Sequence, residues 1–321
     1  MYVGNNSNVI YKVCVYGVGG VGGYFGGKIA DVERNKDAKH EVYFIARGKH
    51  LNAIKSDGIR VISPERTIIG IPTIATDDLH EIPSPDLLLL CVKSYDLDKA
   101  VKAIRSKISK RTFIVPLLNG VDIYERIRAN LDKGIVLPAC VYVGTHIEKP
   151  GVISQNGGEG TILFGKDPQF PQVIPEKVMN FFTSVGVNFK WNDDPSTAIW
   201  GKYIFIAAFG LVTVFTGKTF GEILEDRDSK ELVRKVMFEI KSIAESKSII
   251  LPENIVEESI NRARHFPYET KTSYQRDVEI KGSVNEGDLY GGTIIREGEA
   301  LGIPTPITKS IYSEIQHRFN G

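Results

Sequence analysis

Charge of one sign, cysteine, and apolar runs long enough to span a bilayer are all scarce in this chain of 321 residues. Lys plus Arg total 40 against 39 Asp plus Glu, a net charge of +1. Without a basic excess there is no electrostatic footprint for nucleic acid or for an anionic membrane surface, and neither partner is expected. The uncharged run 203–217 is short of the ~20 residues a spanning helix needs and reads as a buried core helix. Three cysteines, Cys14, Cys91 and Cys140, each lie in an apolar, strand-like run. Their odd number and their spacing, which matches no metal motif, predict reduced core thiols. Six histidines form no HxxxH or Cys/His cluster, so no metal site is expected. The start MYVGNNSNVI has no basic stretch followed by an apolar one. It reads as a loose polar tail rather than a signal peptide, and the chain is expected in the cytoplasm.

With 42% hydrophobic and 25% charged residues, the composition is that of an ordinary globular protein rather than a disordered or fibrous one. The length suits two domains of ~100–200 residues each. In the first half, β-rich runs alternate with helical stretches. Strands are predicted over 12–16 (KVCVY), 41–46 (EVYFIA), 86–92 (DLLLLCV) and 112–118 (TFIVPLL), with a helix over 21–33. The last two runs are continuously apolar, as strands covered on both faces of a parallel sheet are, and the alternation is that of βαβ units. Strands broken by Gly and Pro follow over 134–165. Beyond NDDP at 192–195 the pattern becomes helical, with helices predicted over 196–216, 230–248, 252–265, 286–301 and 307–319. Asp194 and Ser196 are both candidates to cap the first. The fold class expected is α/β: a Rossmann-type, doubly wound N-terminal sheet and an all-helical C-terminal domain. The boundaries expected are a polar tail over 1–10, an α/β domain over 11–193 and a helical domain over 194–321.

Directly after KVCVY stands Gly17-Val18-Gly19-Gly20-Val21-Gly22, a GxGxxG. At the end of a strand and the start of a helix it has the context its mechanism needs. The first glycine permits the sharp turn, the second lets backbone approach a pyrophosphate, and the third lets helix pack on sheet. The N–H groups of the first helical turn then face the phosphates. Gly22, Gly26 and Ala30 recur every four residues and keep one helix face small. Where NAD enzymes usually carry an acid at the end of the second strand, this chain has Arg47, followed by Gly48 and Lys49. A guanidinium there suits a 2′-phosphate and points to NADP(H). Lys93 and Asn119 each follow directly on an apolar strand, at the edge where open α/β sheets bind ligands. Singly, one reads as a surface lysine and the other as a turn; jointly they read as site residues.

Trp200-Gly201-Lys202 opens the charge-free run 203–217. An ammonium there either snorkels to water or serves as a general acid. The order of GxGxxG, Arg47, Val92-Lys93, Leu118-Asn119-Gly120 and Trp200-x-Lys202 resembles the ketopantoate reductase family. So do Thr272-Ser273-Tyr274-Gln275-Arg276-Asp277, Asn285-Glu286, Gly291-Gly292 and Leu301-Gly302-Ile303-Pro304-Thr305-Pro306, from about residue 12 to 306. The resemblance implies reduction of a 2-oxo acid by NADPH, ketopantoate to pantoate first, in pantothenate biosynthesis, in a cleft between the two domains. It implies Lys202 as proton donor, with Glu286 beside the nicotinamide ribose keeping it charged and placed. Asn119 would touch cofactor and substrate, Lys93 the cofactor, and Ser273 the substrate. The partner expected is the small 2-oxo acid, with a homodimer the one assembly considered.

The chain departs from the family where Asn is usual four and eight residues after the lysine; here stand Ile206 and Gly210. Thr272 and Tyr274 replace a Ser and a Met, and the spacing from Asp277 to Glu286 is one residue longer. A pocket lined by Ile206 and Gly210 is expected to be roomier and more apolar. That leaves open a related reductase of another 2- or 3-oxo acid. An NADP(H)-sensing protein without turnover is the further alternative, though a sensor has no need of a proton donor.

Overall fold

The computed structural model describes residues 12–31, 40–280 and 284–319; the expected tail over 1–10 lies outside them. The chain folds as two compact units, one of residues 1–118 and 123–195, the other of residues 119–122 and 196–321.

The first unit carries β1 (Lys12–Tyr16), α1 (Gly20–Ile29), β2 (Glu41–Ile45), α2 (Gly48–Asp57), β3 (Ile59–Ile62), β4 (Thr67–Gly70), β5 (Ile74–Thr76) and β6 (Leu87–Leu90). It continues with α3 (Leu97–Ile104), β7 (Phe113–Pro116), α4 (Ile123–Asn130), β8 (Ile135–Val136), β9 (Ala139–Lys149), β10 (Val152–Phe164), α5 (Glu176–Val185) and β11 (Asn188–Trp191). Six strands form a parallel sheet in the order β5-β2-β1-β6-β7-β8. Counted within that sheet alone, this is the 3-2-1-4-5-6 order of dinucleotide-binding folds, whose direction of winding reverses beside the first strand. The expected Rossmann-type sheet is present. Its continuous apolar runs are continuous for a reason: every residue of β6 and β7 is buried, as strands covered on both faces must be.

A second sheet runs β11-β10-β3-β4 with β9 antiparallel to β10; β9 and β10 lie in the stretch 134–165 where strands were expected. Helix α1 lies between the two sheets, and its glycines form two narrow faces instead of the one expected. A methyl at Gly26 would come 2.9 Å from the Phe44 ring and 3.4 Å from Val15, on the parallel sheet. One at Gly23 would lie 2.6 Å from Ile153, and one at Gly27 2.5 Å from Val61, on the second sheet. The helix ends at Ile29, short of the span expected, with Ala30 as its cap.

A buried ion pair ties α4 to the segment after β10. Asp167 is fully buried, and the Arg128 guanidinium, the Tyr124 hydroxyl (2.7 Å) and the N–H groups of Val136 (2.8 Å) and Gln169 (2.9 Å) all donate to its carboxylate. The cysteines are free, and burial pushes the Cys14 thiol up to about 12, so it is protonated and inert at neutral pH.

The second unit is helical: α6 (Ser196–Thr216), α7 (Phe220–Glu225), α8 (Arg227–Ser246), α9 (Ile255–Ala263), α10 (Ser273–Glu279), α11 (Thr293–Leu301) and α12 (Pro306–Phe319). Helix α6 is long and apolar enough to cross a bilayer, but 67% of its most apolar window is buried inside the unit, and it serves as the core helix. The helix expected over 286–301 is broken by a π-turn at Asp288–Gly292. The wider turn brings Gly291 so close to Tyr312 that a methyl there would sit 2.3 Å from the ring. The start of α12 is capped from another helix: buried Glu239 of α8 accepts from the N–H groups of Ile307 (2.8 Å) and Thr308 (2.9 Å) and from the Thr308 hydroxyl (2.6 Å).

Candidate active site

The glycine loop is held open at the start of α1 by close backbone packing. Gly17 has φ +93°, a conformation L side chains rarely adopt, and its N–H donates to Ile45 O at 3.0 Å, fixing the loop to the end of β2. A methyl at Gly22 would stand 2.1 Å from the Gly17 carbonyl, and one at Gly20 would stand 2.8 Å from the Thr145 carbonyl. Gly19 faces open space, with nothing within 4 Å of where its methyl would be. The first intrahelical bond runs from Gly23 N–H to Gly19 O at 2.7 Å, so the N–H groups of Gly20, Val21 and Gly22 precede the helical ladder and are available to an anion. No acidic residue stands in the first turn of α1 to compete with one. These residues fit the pyrophosphate of a dinucleotide.

Beside the loop, at the carboxyl ends of β1, β2 and β6, opens a cavity of about 410 Å³. Gly17, Val18, Gly19, Arg47 and Lys93 all line it, so five of the residues singled out in the sequence share one space. Arg47 caps the start of α2 and is exposed; its Nη2 donates to Asp96 Oδ2 at 2.6 Å. Asp96, Lys99, Asp77 and His50 line the same cavity and carried no signal in the sequence. His50 Nδ1 accepts from the Gly151 N–H at 3.1 Å. Its other nitrogen is therefore the protonated one, and it is buried. Burial lowers the pKa of this imidazole, a shift only partly opposed by the Val18 backbone.

The remaining predicted residues belong to the second unit. Lys202, in the second turn of α6, donates from Nζ to Asn119 Oδ1 at 2.6 Å. Glu286 is buried, two residues ahead of the π-turn. Ser273 is the first residue of α10, half-buried, behind the Thr272 cap. Both α10 and the π-turn pack on α6. Thr272 Oγ1 and Thr213 Oγ1 of α6 lie 2.9 Å apart, which fixes where α10 begins.

The roomier pocket expected at Gly210 is not there. Gly210 is buried, and a methyl on it would lie 3.8 Å from Tyr290 and 3.9 Å from Tyr274. Those two rings, with centroids 5.4 Å apart, occupy the space a longer residue would have used. Ile206, one turn beyond Lys202, is half-buried, so the apolar character expected there stays on that helix face.

Two family models match the chain. The model described as Ketopantoate reductase PanE/ApbA matches residues 13–169, and that described as Ketopantoate reductase PanE/ApbA C terminal matches residues 194–319. A 2-dehydropantoate 2-reductase of Mesorhizobium japonicum is 26% identical, the match covering 95% of this chain and 97% of that protein. The crystal structure of a PanE/ApbA family ketopantoate reductase from Ralstonia eutropha JMP134 is similar with a TM-score of 0.85 at 28% identity, over 96% of this chain and 98% of that one. That of 2-dehydropantoate 2-reductase from Porphyromonas gingivalis W83 has a TM-score of 0.80 at 30% identity, over 95% and 99%.

Proposed function

The chain belongs to the ketopantoate reductase family, and we propose on that footing that it reduces a 2-oxo acid to the 2-hydroxy acid with NADPH. Ketopantoate is the first substrate, which sets the enzyme in pantothenate biosynthesis, in the cytoplasm. Residues 11–193 form the coenzyme domain in this reading, and 194–321 the domain for substrate and catalysis. The observation that carries it is the 2.6 Å bond from Lys202 Nζ to Asn119 Oδ1. It joins an ammonium on an apolar helix to an amide of the same compact unit.

When bound, the dihydronicotinamide supplies hydride to the carbonyl carbon. The rest falls to the chain. The N–H groups of Gly20, Val21 and Gly22 hold the pyrophosphate, Arg47 the 2′-phosphate, and Lys93 the coenzyme alongside. Lys202 Nζ stands at the carbonyl oxygen, where negative charge develops, and passes its proton to that oxygen as the alkoxide forms. Asn119 accepts from Lys202 with its carbonyl, which leaves the amide N–H₂ to orient substrate or coenzyme. Glu286 contributes a buried negative charge that favours the protonated lysine, and Ser273 donates to the substrate. One hydride and one proton account for the whole change from ketone to alcohol.

Half-buried Ile206 supports a second reading, in which an oxo acid with an apolar side chain is the better substrate. Both are tested by following NADPH oxidation with ketopantoate and with a panel of 2-oxo acids. Turnover of ketopantoate at the highest kcat/KM upholds the first reading, and a clear preference for an apolar oxo acid upholds the second. Tight NADPH binding without turnover of any member would replace both with a sensor.

A further inference from the structure

The cavity beside the glycine loop holds a carboxylate pointed at the residue assigned to the 2′-phosphate. Asp96 Oδ2 accepts from Arg47 Nη2 at 2.6 Å, and both line the same space. Their exposures differ: the Arg47 side chain is 79% exposed and that of Asp96 29%, so the arginine stands mostly in solvent and the carboxylate mostly within the cavity wall. The backbone accounts for this. Residues Ser94–Asp96 form a single tight turn at the end of β6, closed by the Asp96 N–H donating to Lys93 O at 2.9 Å. The turn aims the Asp96 side chain across the ends of β6 and β1 toward the end of β2.

We infer that Asp96 is a specificity-determining residue for the coenzyme, which narrows the preference for NADPH and admits NADH as well. The inference rests on the reading of this cavity as a nicotinamide coenzyme site. NAD enzymes carry a carboxylate at the end of the second strand to accept from the ribose 2′-hydroxyl. This chain has arginine there, and Asp96 supplies the missing acid from the turn after β6, two strands across the sheet. For NADH the pair presents an acceptor suited to a 2′-hydroxyl. For NADPH it presents a guanidinium with one edge already engaged, beside a negative charge that repels the incoming phosphate. Arg47 keeps its other N–H groups for that phosphate, so the pair weakens NADPH binding without abolishing it. The ion pair itself gives way readily, since an exposed pair is held by no more than about a fivefold advantage.

The test measures the dissociation constants of NADPH and NADH by titration, for the wild type and for Asp96→Asn, Asp96→Ser, Arg47→Ala and the Asp96→Asn/Arg47→Ala double variant. Removal of one negative charge from beside a phosphate, at contact distance in a solvated site, is expected to tighten NADPH about 3- to 30-fold. NADH should be unchanged or weaker, so that both Asp96 variants shift the ratio of the two constants by about tenfold. Because Arg47→Ala leaves Asp96 without its counter-charge, that variant should favour NADH over NADPH. The double variant should recover part of the lost NADPH affinity. If Arg47→Ala weakens NADPH while both Asp96 variants keep the wild-type ratio within about twofold, the role of Asp96 is overturned and the coenzyme reading stands. If the wild type binds neither nucleotide, the coenzyme reading falls and the inference with it.

Discussion

The Lys202 ammonium is held at 2.6 Å by the side-chain oxygen of Asn119, a residue 83 positions earlier in the chain. A lysine placed by an amide acceptor keeps its direction, and loses the freedom that a four-carbon stem would otherwise give it. Lys202→Met keeps the stem and removes the charge. General acid catalysis contributes ~10²–10⁴-fold, so kcat should fall by at least that order while NADPH affinity stays within about threefold of the wild type. Glu286→Ala should lose less. Because the two act on one proton, the double variant should fall well short of the product of the single losses. Retention by Lys202→Met of more than about a tenth of wild-type kcat would place the proton donor elsewhere.

The packing around Gly210 leads to a prediction about stability. A methyl at this position would make ordinary van der Waals contact with Tyr274 and Tyr290. Gly210→Ala should therefore stabilise the protein by about 0.5–1 kcal/mol, the gain expected for alanine over glycine within a helix, with KM for the oxo acid nearly unchanged. Gly210→Leu should destabilise by about 1–3 kcal/mol through overpacking. Urea denaturation midpoints for the two variants check both signs. Ile206→Asn, by contrast, should raise kcat/KM for ketopantoate relative to apolar oxo acids, because it places an amide one turn from Lys202.

His50 should make stability sensitive to acid. Burial lowers its pKa from the ordinary value of 6.5. Between the lowered folded value and 6.5, the unfolded chain holds a proton that the folded protein does not, so unfolding takes up protons there. The contribution of neutral His50 is thus complete above about pH 6.5 and is lost as pH falls through the folded value. Protonation also removes the lone pair that accepts from Gly151. His50→Asn keeps an oxygen for that N–H and cannot be protonated in this range. Its Tm should fall less than that of the wild type between pH 7 and pH 5; equal slopes would rule out His50 as the source.

Glu239 is the cap of a helix to which it does not belong. Its replacement by alanine leaves two N–H groups and a hydroxyl at the start of α12 without their charged acceptor. The expected cost is about 2–4 kcal/mol. Faster hydrogen exchange should be concentrated in α12, and a denaturation curve that does not move would show the cap to be dispensable.

Much of the first sheet is legible because local pattern and tertiary role agree. KVCVY is β1 residue for residue, and the four leucines of DLLLLCV are β6. The turn chemistry of GxGxxG is local as well, as is the apolar length of α6. The second sheet is legible only in its strands over 134–165, which are β9 and β10; its assembly is not, since β3 finds its partner in β10 some ninety residues later, and four-residue strands such as IRVI and TIIG carry little period of their own. The same holds for Asp96, His50 and Asp167, ordinary polar residues whose meaning comes from what lies across the fold. One local signal was there to be read. Thr219-Phe220-Gly221-Glu222 is a capping box, with Glu222 Oε2 accepting from Thr219 N–H at 2.7 Å, and it marks the start of α7.

The two glycine faces of α1 make that helix a spacer of fixed thickness between two sheets. Gly26 sets its clearance on one side, and Gly23 with Gly27 on the other. Its first turn is also the end that the proposed function assigns to the pyrophosphate. A larger residue at Gly27, a full turn and more from any phosphate, would wedge the helix away from Val61 and tip that end with it. Affinity for the dinucleotide therefore reports on the gap between the sheets. Variants remote from the coenzyme can lose it through a change of angle alone, with every contacting atom still in place.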